Sequence, residues 1–160
     1  MVYLFIKNSC AKRGGSHMSN RQNETAVIIP FIPNSDFYFQ RGIKAFQKND
    51  VARAKKYLLR AVTLSKSEEE KVFALCQLAI CHQHVGEFNQ SIEILNDLIE
   101  KDGDIFPEAY YFQSNNYAYI DELETALELV SLYLELEPDG DFFEEAEDLK
   151  DVIEIEMKNF

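Results

Sequence analysis

The sequence is poor in residues that interrupt helices and in features that direct a chain to a membrane. Its 160 residues include no tryptophan, 6 glycines and 4 prolines, while 46% are hydrophobic. This balance favours a folded chain that is mostly helical. The apolar stretch at residues 2–6 is too short for a signal core, and no later stretch approaches the ~20 apolar residues of a membrane span. The sequence therefore predicts neither secretion nor a membrane role.

Cysteine is also scarce, with Cys10, Cys76 and Cys81 making an odd number. Disulfides persist in oxidising compartments, and no secretory signal accompanies these residues. Reduced thiols are the simplest interpretation. We therefore expect a cytoplasmic protein.

Cations are almost missing from the second half of the chain. Up to Arg60, eleven Lys and Arg stand against three Asp and Glu, whereas from Asp102 onward the numbers are two and eighteen. A net charge of −12 argues against nucleic acid as the main partner, because phosphate binding needs a cationic face. The acidic runs are expected to be solvated helix surfaces. Ends of opposite charge could also support a weak, salt-sensitive homo-oligomer.

The first 35 residues are predicted to lie outside the main fold. Residues 11–18, AKRGGSHM, resemble a ribosome-binding stretch translated by mistake, and Gly15 to Met18 also match a cloning remnant. Residues 1–17 are therefore expected to be a non-native leader or the result of a mis-assigned start. Residues 18–35 are predicted to be an extended or disordered arm. Within it AVIIPFIP, residues 26–33, has two prolines that exclude a regular helix. This arm could occupy an apolar groove or serve as a linker.

Small residues recur at a fixed spacing in the body of the chain. Three pairs lie twelve residues apart and are offset from each other by 37 and 35 residues: Gly42 and Ala54, Ala79 and Ser91, Ser114 and Ala126. An offset near the ~34 residues of a helix-turn-helix repeat predicts three such units. Small residues at these positions let two antiparallel helices approach closely.

Other residues at equivalent positions support the same repeat. An aliphatic residue follows each second small residue by four places: Leu58, Leu95 and Val130. Turn residues separate the two helices of each unit: Asn49-Asp50, Gly86-Glu87 and Asp121-Glu122. Pro138 and Gly140 follow the third unit, where a helix must stop.

These segments resemble the tetratricopeptide repeat (TPR) family. The resemblance rests on GIKAFQKNDVARAKKYLLRA, LAICHQHVGEFNQSIEILNDLI and PEAYYFQSNNYAYIDELETALELVSLYLELEPDG. The later phrase YLELEPDGDFFEEAEDL is also similar to soluble repeat proteins of Gram-positive bacteria. The family resemblance implies an all-α fold over residues 36–140, with repeats at about 35–68, 72–105 and 107–140 that form a right-handed α-solenoid. The sequence departs from the family at the third small position, which is Ala61 in the first unit but Leu98 and Tyr133 in the others.

The acidic C-terminal segment, 141–160, is predicted to be a capping helix. Five apolar residues fall on one stripe of it: Ala146, Leu149, Val152, Ile153 and Met157. A repeat array needs a terminal element with a wet outer surface.

The resemblance implies that the first helix of each repeat lines a concave groove that binds peptides. The matching positions are Phe39, Ile43, Phe46 and Gln47 in the first repeat, Phe73, Cys76, Ile80, Gln83 and His84 in the second, and Tyr111, Asn115, Ala118 and Tyr119 in the third. Some of these aromatics could instead be inter-repeat core. Among these positions Asn115 alone matches the family's carboxylate clamp, whose cationic residues are missing, so that mode is rejected.

The stretch CQLAICHQH, residues 76–84, is the candidate for metal chemistry. At about 100° per residue, Cys76 and Cys81 lie about 140° apart on a helix, and His82 lies on the other side of Cys76. These three cannot converge on one ion. Cys81 and His84 lie within one turn but supply only two of the four ligands of a structural zinc site. We therefore predict no metal, no cofactor and no catalytic residue.

The leading hypothesis is a non-enzymatic scaffold that binds a peptide or amphipathic helix of a partner protein, without nucleic acid or membrane. A chaperone for an aggregation-prone or secreted client is the alternative, since acidic three-repeat proteins also resemble secretion chaperones. A metal-dependent enzyme built on the Cys and His residues is the third and least favoured hypothesis.

Overall fold

A computed structural model describes residues 32–103 and 105–159, and these residues form seven α-helices and no strand. The predicted leader 1–17 and the arm up to residue 31 lie outside the described residues. The helices are α1 Ser35–Gln47, α2 Val51–Leu64, α3 Glu68–His84, α4 Phe88–Asp102, α5 Glu108–Tyr119, α6 Leu123–Leu136 and α7 Phe143–Asn159. The first six form three consecutive helix pairs, as the repeat spacing predicts.

Side-chain caps fix where three of the helices begin. Asn34, Asp50 and Ser67 each accept a hydrogen bond from the backbone N–H three residues later, at 2.9, 3.1 and 3.2 Å. Such a bond satisfies one of the N–H groups that a helix start leaves without an intrahelical partner. Because Ser67 caps α3, that helix begins at Glu68, earlier than the predicted repeat start near residue 72.

The turns inside the three pairs share one backbone conformation. The first residue of each predicted turn has a positive φ: 59° at Asn49, 77° at Gly86 and 66° at Asp121. In each turn the N–H of the following residue donates to the carbonyl five residues earlier, at 2.9 Å in all three. This is the left-handed ending that satisfies the last carbonyls of a helix. Asparagine and aspartate are the non-glycine residues that adopt it most readily.

Close packing of small residues joins the two helices of each pair. All six predicted small residues are buried, and so are Leu58, Leu95 and Val130. At Gly42 an added Cβ would lie 2.8 Å from Leu58 Cγ, so only glycine fits there without movement. The third small position is buried in every pair, whether it holds Ala61, Leu98 or Tyr133.

Gly140 lies close to the large side chain of the third pair. An added Cβ at Gly140 would lie 2.6 Å from Tyr133 Oη. Pro138 follows the end of α6 at Leu136, as expected of a residue that stops a helix. It is exposed, so it does not also pack in the interior of the repeat.

The helices lie in two layers with different internal contacts. Each helix contacts the next along the chain, and in addition α1 contacts α3, α3 contacts α5 and α5 contacts α7. Within the described residues, α2, α4 and α6 make no such contacts with each other. The odd-numbered helices are therefore closer together, so the array curves with these helices on its inner side.

Helix α7 continues the inner layer by packing against α6 and α5. Ala146 and Ile153 are buried against the array, and Leu149 and Met157 are partly buried. Val152 is 51% exposed, so its predicted place in the stripe is wrong. The reason is angular, since Val152 lies about 100° around the helix from Ile153.

Candidate functional site

The thirteen predicted groove residues all lie on α1, α3 and α5, the inner layer of the array. Gln47, His84 and Tyr119 are exposed, and Phe39, Phe73, Gln83, Tyr111 and Asn115 are partly exposed. Ala118, which the family pattern also places there, is partly exposed as well.

Four predicted groove residues are instead part of the core: Ile43, Phe46, Cys76 and Ile80. Cys76 is 0% exposed, so it does not line an accessible surface. The cause is clearest for α3, which contacts α1, α2, α4 and α5 and is therefore covered on several sides. For these four residues the predicted contact role is corrected to packing.

An exposed aromatic side chain stands at the end of the inner layer where α5 finishes. Tyr119 is 69% exposed, yet its ring is stacked on Phe88, with centroids 5.0 Å apart and planes 15° apart. Val85 and Ile120, at the ends of α3 and α5, are exposed as well. We call Val85, Phe88, Tyr119 and Ile120 the turn patch. Sequence reasoning found only Tyr119, because the other three fall at helix ends outside the groove positions.

A second contact joins the first and second pairs on the same layer. The His84 ring meets the Phe46 ring edge to face, with centroids 5.1 Å apart. His84 is exposed whereas Phe46 is buried, so the histidine ring covers the core residue on the solvent side. Gln47, next to Phe46, is also exposed.

Tyr111 belongs to an aromatic cluster at the start of the third pair. Its ring is stacked on Phe142 at 5.2 Å and 16°, and it lies 5.3 Å from Phe112 and 5.7 Å from Tyr133. Burial raises the pKa of Tyr111. Burial also raises the pKa of Tyr133 to about 12, and its Oη accepts a hydrogen bond from the Phe142 N–H at 3.2 Å. This cluster therefore anchors the segment between α6 and α7.

Buried amide side chains between the second and third pairs were not predicted. Gln113 and Asn116 of α5 are fully buried. Asn116 Nδ2 donates to Ser91 Oγ at 2.8 Å and to Gln113 Oε1 at 3.0 Å, while Gln83 Nε2 donates to Asn116 Oδ1 at 2.8 Å. Gln113 Nε2 in turn donates to Asn96 Oδ1 at 2.7 Å. We call these five residues the amide network.

The amide network had one usable signal in the sequence. Gln113 and Asn116 are three residues apart, which puts both on one side of a helix. Ser114, a predicted packing residue, lies between them. Two amides beside a packing position could therefore have been assigned to an interface rather than to solvent.

The stretch CQLAICHQH divides between core and surface. Cys76 and Cys81 are buried free thiols. Burial raises the pKa of Cys76 well above its ordinary value and that of Cys81 to about 12, so both stay neutral at physiological pH. Within residues 32–103 and 105–159, no three His, Cys, Asp or Glu side chains are grouped so that they could hold a metal ion.

His82 takes part in a contact with charged side chains. Its Nδ1 lies 2.5 Å from Glu87 Oε2, and Lys55 Nζ donates to the same oxygen at 2.7 Å. Hydrogen bonds from Lys55 and then His82 lower the pKa of the Glu87 carboxyl. This contact, the charged rim, ties α2 to the turn between α3 and α4.

In the described part of the chain, none of the helices is both long enough and apolar enough to cross a membrane.

Comparison with known proteins identifies the repeat. No family model matches the sequence. The chain is 30% identical over 141 residues to the TPR repeat-containing protein YvcD of Bacillus subtilis (strain 168), which covers 88% of this chain. The chain spans only 28% of the length of that relative.

Two solved structures share the fold. The crystal structure of YrrB, a TPR protein with an unusual peptide-binding site, has a TM-score of 0.62 and 25% identity, covering 73% of this chain and 58% of YrrB. The second TPR domain of human RPAP3, solved in complex with the HSP70 peptide SGPTIEEVD, has a TM-score of 0.62 and 15% identity, covering 76% of this chain and 98% of that domain. The paired small residues, the three turns of one conformation and these likenesses together support a bacterial tetratricopeptide repeat protein.

Proposed function

We propose that this chain is a non-enzymatic interaction scaffold that binds a peptide or amphipathic helix of a partner protein along its inner layer. The observation that carries the proposal is the placement of Tyr119, an aromatic residue held by Phe88 but 69% exposed. An aromatic ring that is stacked on a neighbouring ring and otherwise exposed offers a large contact area at little cost in conformational entropy. Val85 and Ile120 are exposed apolar residues at the ends of α3 and α5, so the turn patch provides an apolar anchor point.

The rest of the inner layer provides polar groups around that anchor. His84 and Gln47 are exposed on neighbouring helices, and Asn115 is partly exposed on α5. Ring nitrogens and amides can hydrogen-bond a peptide backbone without requiring a charged ligand. The predicted groove positions include no Lys or Arg, so an apolar or amphipathic segment fits this surface better than an acidic chain end.

The comparisons support peptide binding as the general mode. YrrB is a TPR protein with a peptide-binding site, and the RPAP3 domain is seen with a bound peptide. The likeness to RPAP3 concerns the fold alone. The ligand of the present chain is therefore argued from its own exposed residues.

The proposal is tested with a variant that removes exposed groups and leaves the core intact. Tyr119→Ala with His84→Ala changes two exposed side chains, whereas Tyr111→Ala would also disrupt the aromatic cluster. Leu59→Ala is the matched control, because Leu59 is an exposed apolar residue on α2 in the outer layer. Proteins captured from the native host are identified by mass spectrometry, and synthetic segments of each are then titrated calorimetrically.

We expect a captured segment to bind the unmodified chain and the Leu59→Ala control equally, and to bind Tyr119→Ala/His84→Ala at least about tenfold more weakly, a loss of about 1.4 kcal/mol. Circular dichroism confirms that each variant is folded. If the folded double variant keeps every partner at unchanged affinity, inner-layer binding is wrong.

A further inference from the structure

The first helix pair has a solvent-facing surface that combines aromatic rings with cations. Phe37, Arg41, Lys44 and Lys48 follow one another at spacings of four, three and four residues, which places them on one side of α1. The Arg41 guanidinium lies 5.3 Å from the Phe37 ring centroid and 5.1 Å from that of Tyr57 on α2. Arg41 Nη2 also donates to Tyr57 Oη at 3.3 Å. We call these five residues the basic end; they line an open depression of about 690 Å³.

The cations of the basic end form no ion pair within the described residues. Within the described ranges, no ion pair involves Arg41, Lys44 or Lys48, whereas nearby Arg53 pairs with Asp50 at 3.3 Å. Asp36, which also lines the depression, accepts a hydrogen bond from Gln40 at 3.4 Å. The basic end therefore has cations available for an external acidic surface.

The opposite end of the array has a complementary surface on α7. Glu144, Asp148, Asp151, Val152 and Ile155 share the side of α7 that faces away from the buried Ala146 and Ile153. Val152 and Ile155 are 51% and 59% exposed. We call these five residues the acidic end.

The two cations of α7 do not neutralise this surface. Lys158 lies about 20° around the helix from Asp151 but about two turns further along, and it pairs with Glu154 at 3.7 Å. Lys150 lies close to the buried side, about 160° around the helix from Asp148. The acidic end therefore presents carboxylates around two exposed aliphatic side chains.

We propose that the acidic end of one copy docks on the basic end of a second copy, so that the chain associates head to tail. In this contact Val152 and Ile155 meet the rings of Phe37 and Tyr57, while the carboxylates meet the exposed cations. Both surfaces lie at the ends of the array, where a further repeat would stack. The contact is heterologous, so each added copy leaves one basic and one acidic end open. It uses residues distinct from those of the inner layer and does not depend on the proposed function.

The test measures the mass of the full-length chain in solution. Sedimentation equilibrium is run over a range of protein concentrations at about 20 mM and about 500 mM salt, since salt screens exposed charges. We expect the average mass to rise above that of one chain with concentration at low salt, and to return to one chain at high salt.

Charge reversal locates the contact. Asp148→Lys/Asp151→Lys is expected to weaken association at least about tenfold, because like charges then face each other. Lys44→Glu/Lys48→Glu is expected to do the same, and mixing the two variants restores association. Glu93→Lys/Glu100→Lys on α4 carries the same change in net charge as the first variant and is expected to associate as the unmodified chain does.

Three results would overturn the proposal. One is a chain that stays monomeric at low salt at every concentration, which would leave residues 1–31 or a different acidic protein as occupants of the basic end. Another is undiminished association of both charge-reversed variants. The third is an equal loss in the α4 control, which would mean that overall charge rather than the two ends drives association.

Discussion

The contact between the first and second helix pairs differs from that between the second and third. In the first two pairs the core includes apolar side chains such as Leu58, Val72 and Cys81, and a polar contact that crosses between the pairs, Lys55 to Glu87, lies at the rim. Between the second and third pairs the amide network reaches the interior, where Gln113 and Asn116 are fully buried.

Apolar burial and buried hydrogen bonds stabilise an interface in different ways. Apolar burial holds surfaces together but tolerates small shifts, because it has no direction. Buried hydrogen bonds fix relative position, since a shifted partner leaves a polar group unsatisfied in a low-dielectric interior. We therefore expect the second and third helix pairs to be held in a more defined relative position than the first and second. The stability of the contact between the first and second pairs should depend more on the volume of its apolar side chains.

The largest effect is expected from removing core volume in the first pair. Leu58→Ala deletes a fully buried side chain that packs against Gly42, and such substitutions cost about 2–5 kcal/mol. Urea unfolding followed by circular dichroism measures the loss. The neighbouring Leu59→Ala is the control, because Leu59 is 53% exposed and surface changes usually stay within about 0.5 kcal/mol. Equal losses in the two variants would contradict the assigned packing.

The next effect is expected from breaking the amide network. Asn116→Leu removes the partner of Gln83, Ser91 and Gln113, and leaving a buried polar group unsatisfied costs about 1–3 kcal/mol. Asn115→Leu on the same helix is the control, since the Asn115 side chain donates to the Tyr111 carbonyl of its own helix.

The same network provides a sharper test of coupling. If Gln113 and Asn116 act together, Gln113→Leu/Asn116→Leu should lose less stability than the sum of the two single variants, as measured in a double-mutant cycle. Strict additivity would mean that the two amides contribute independently.

The smallest effect is expected at the charged rim, and it should depend on pH. The pKa of Glu87 is lowered in the folded chain, first by Lys55 and then by His82, so this contact stabilises the fold above the ordinary pKa of the carboxyl and is lost as pH falls through the lowered value. Lys55→Met should therefore lower the melting temperature slightly near neutral pH. At about pH 3, below the ordinary glutamate pKa, the difference from the unmodified chain should shrink. A difference that grows on acidification would contradict this assignment.

Periodicity predicted the helix pairs but not the partners of each helix. The twelve-residue spacing identified Gly42 and Ala54 because small residues are required wherever two backbones approach. Cys76 and Ile80 were assigned to an accessible groove, yet α3 contacts four other helices, a property of the assembled array that one helix does not reveal. Gln113 and Asn116 were overlooked for the same reason, since amides usually indicate solvent unless a partner is known. Contacts within a repeat were thus more predictable than contacts between repeats.

The uneven contacts of the two helix layers have a mechanical consequence. Each odd-numbered helix contacts the next odd-numbered helix, whereas α2, α4 and α6 do not contact one another. Bending the array open would therefore break contacts of the inner layer and almost none between the outer helices. The joint between the second and third pairs, held by directional hydrogen bonds, should resist such bending more than the joint between the first and second. We therefore expect the array to open mainly between α1 and α3, where apolar contacts rather than directional hydrogen bonds join the first and second pairs.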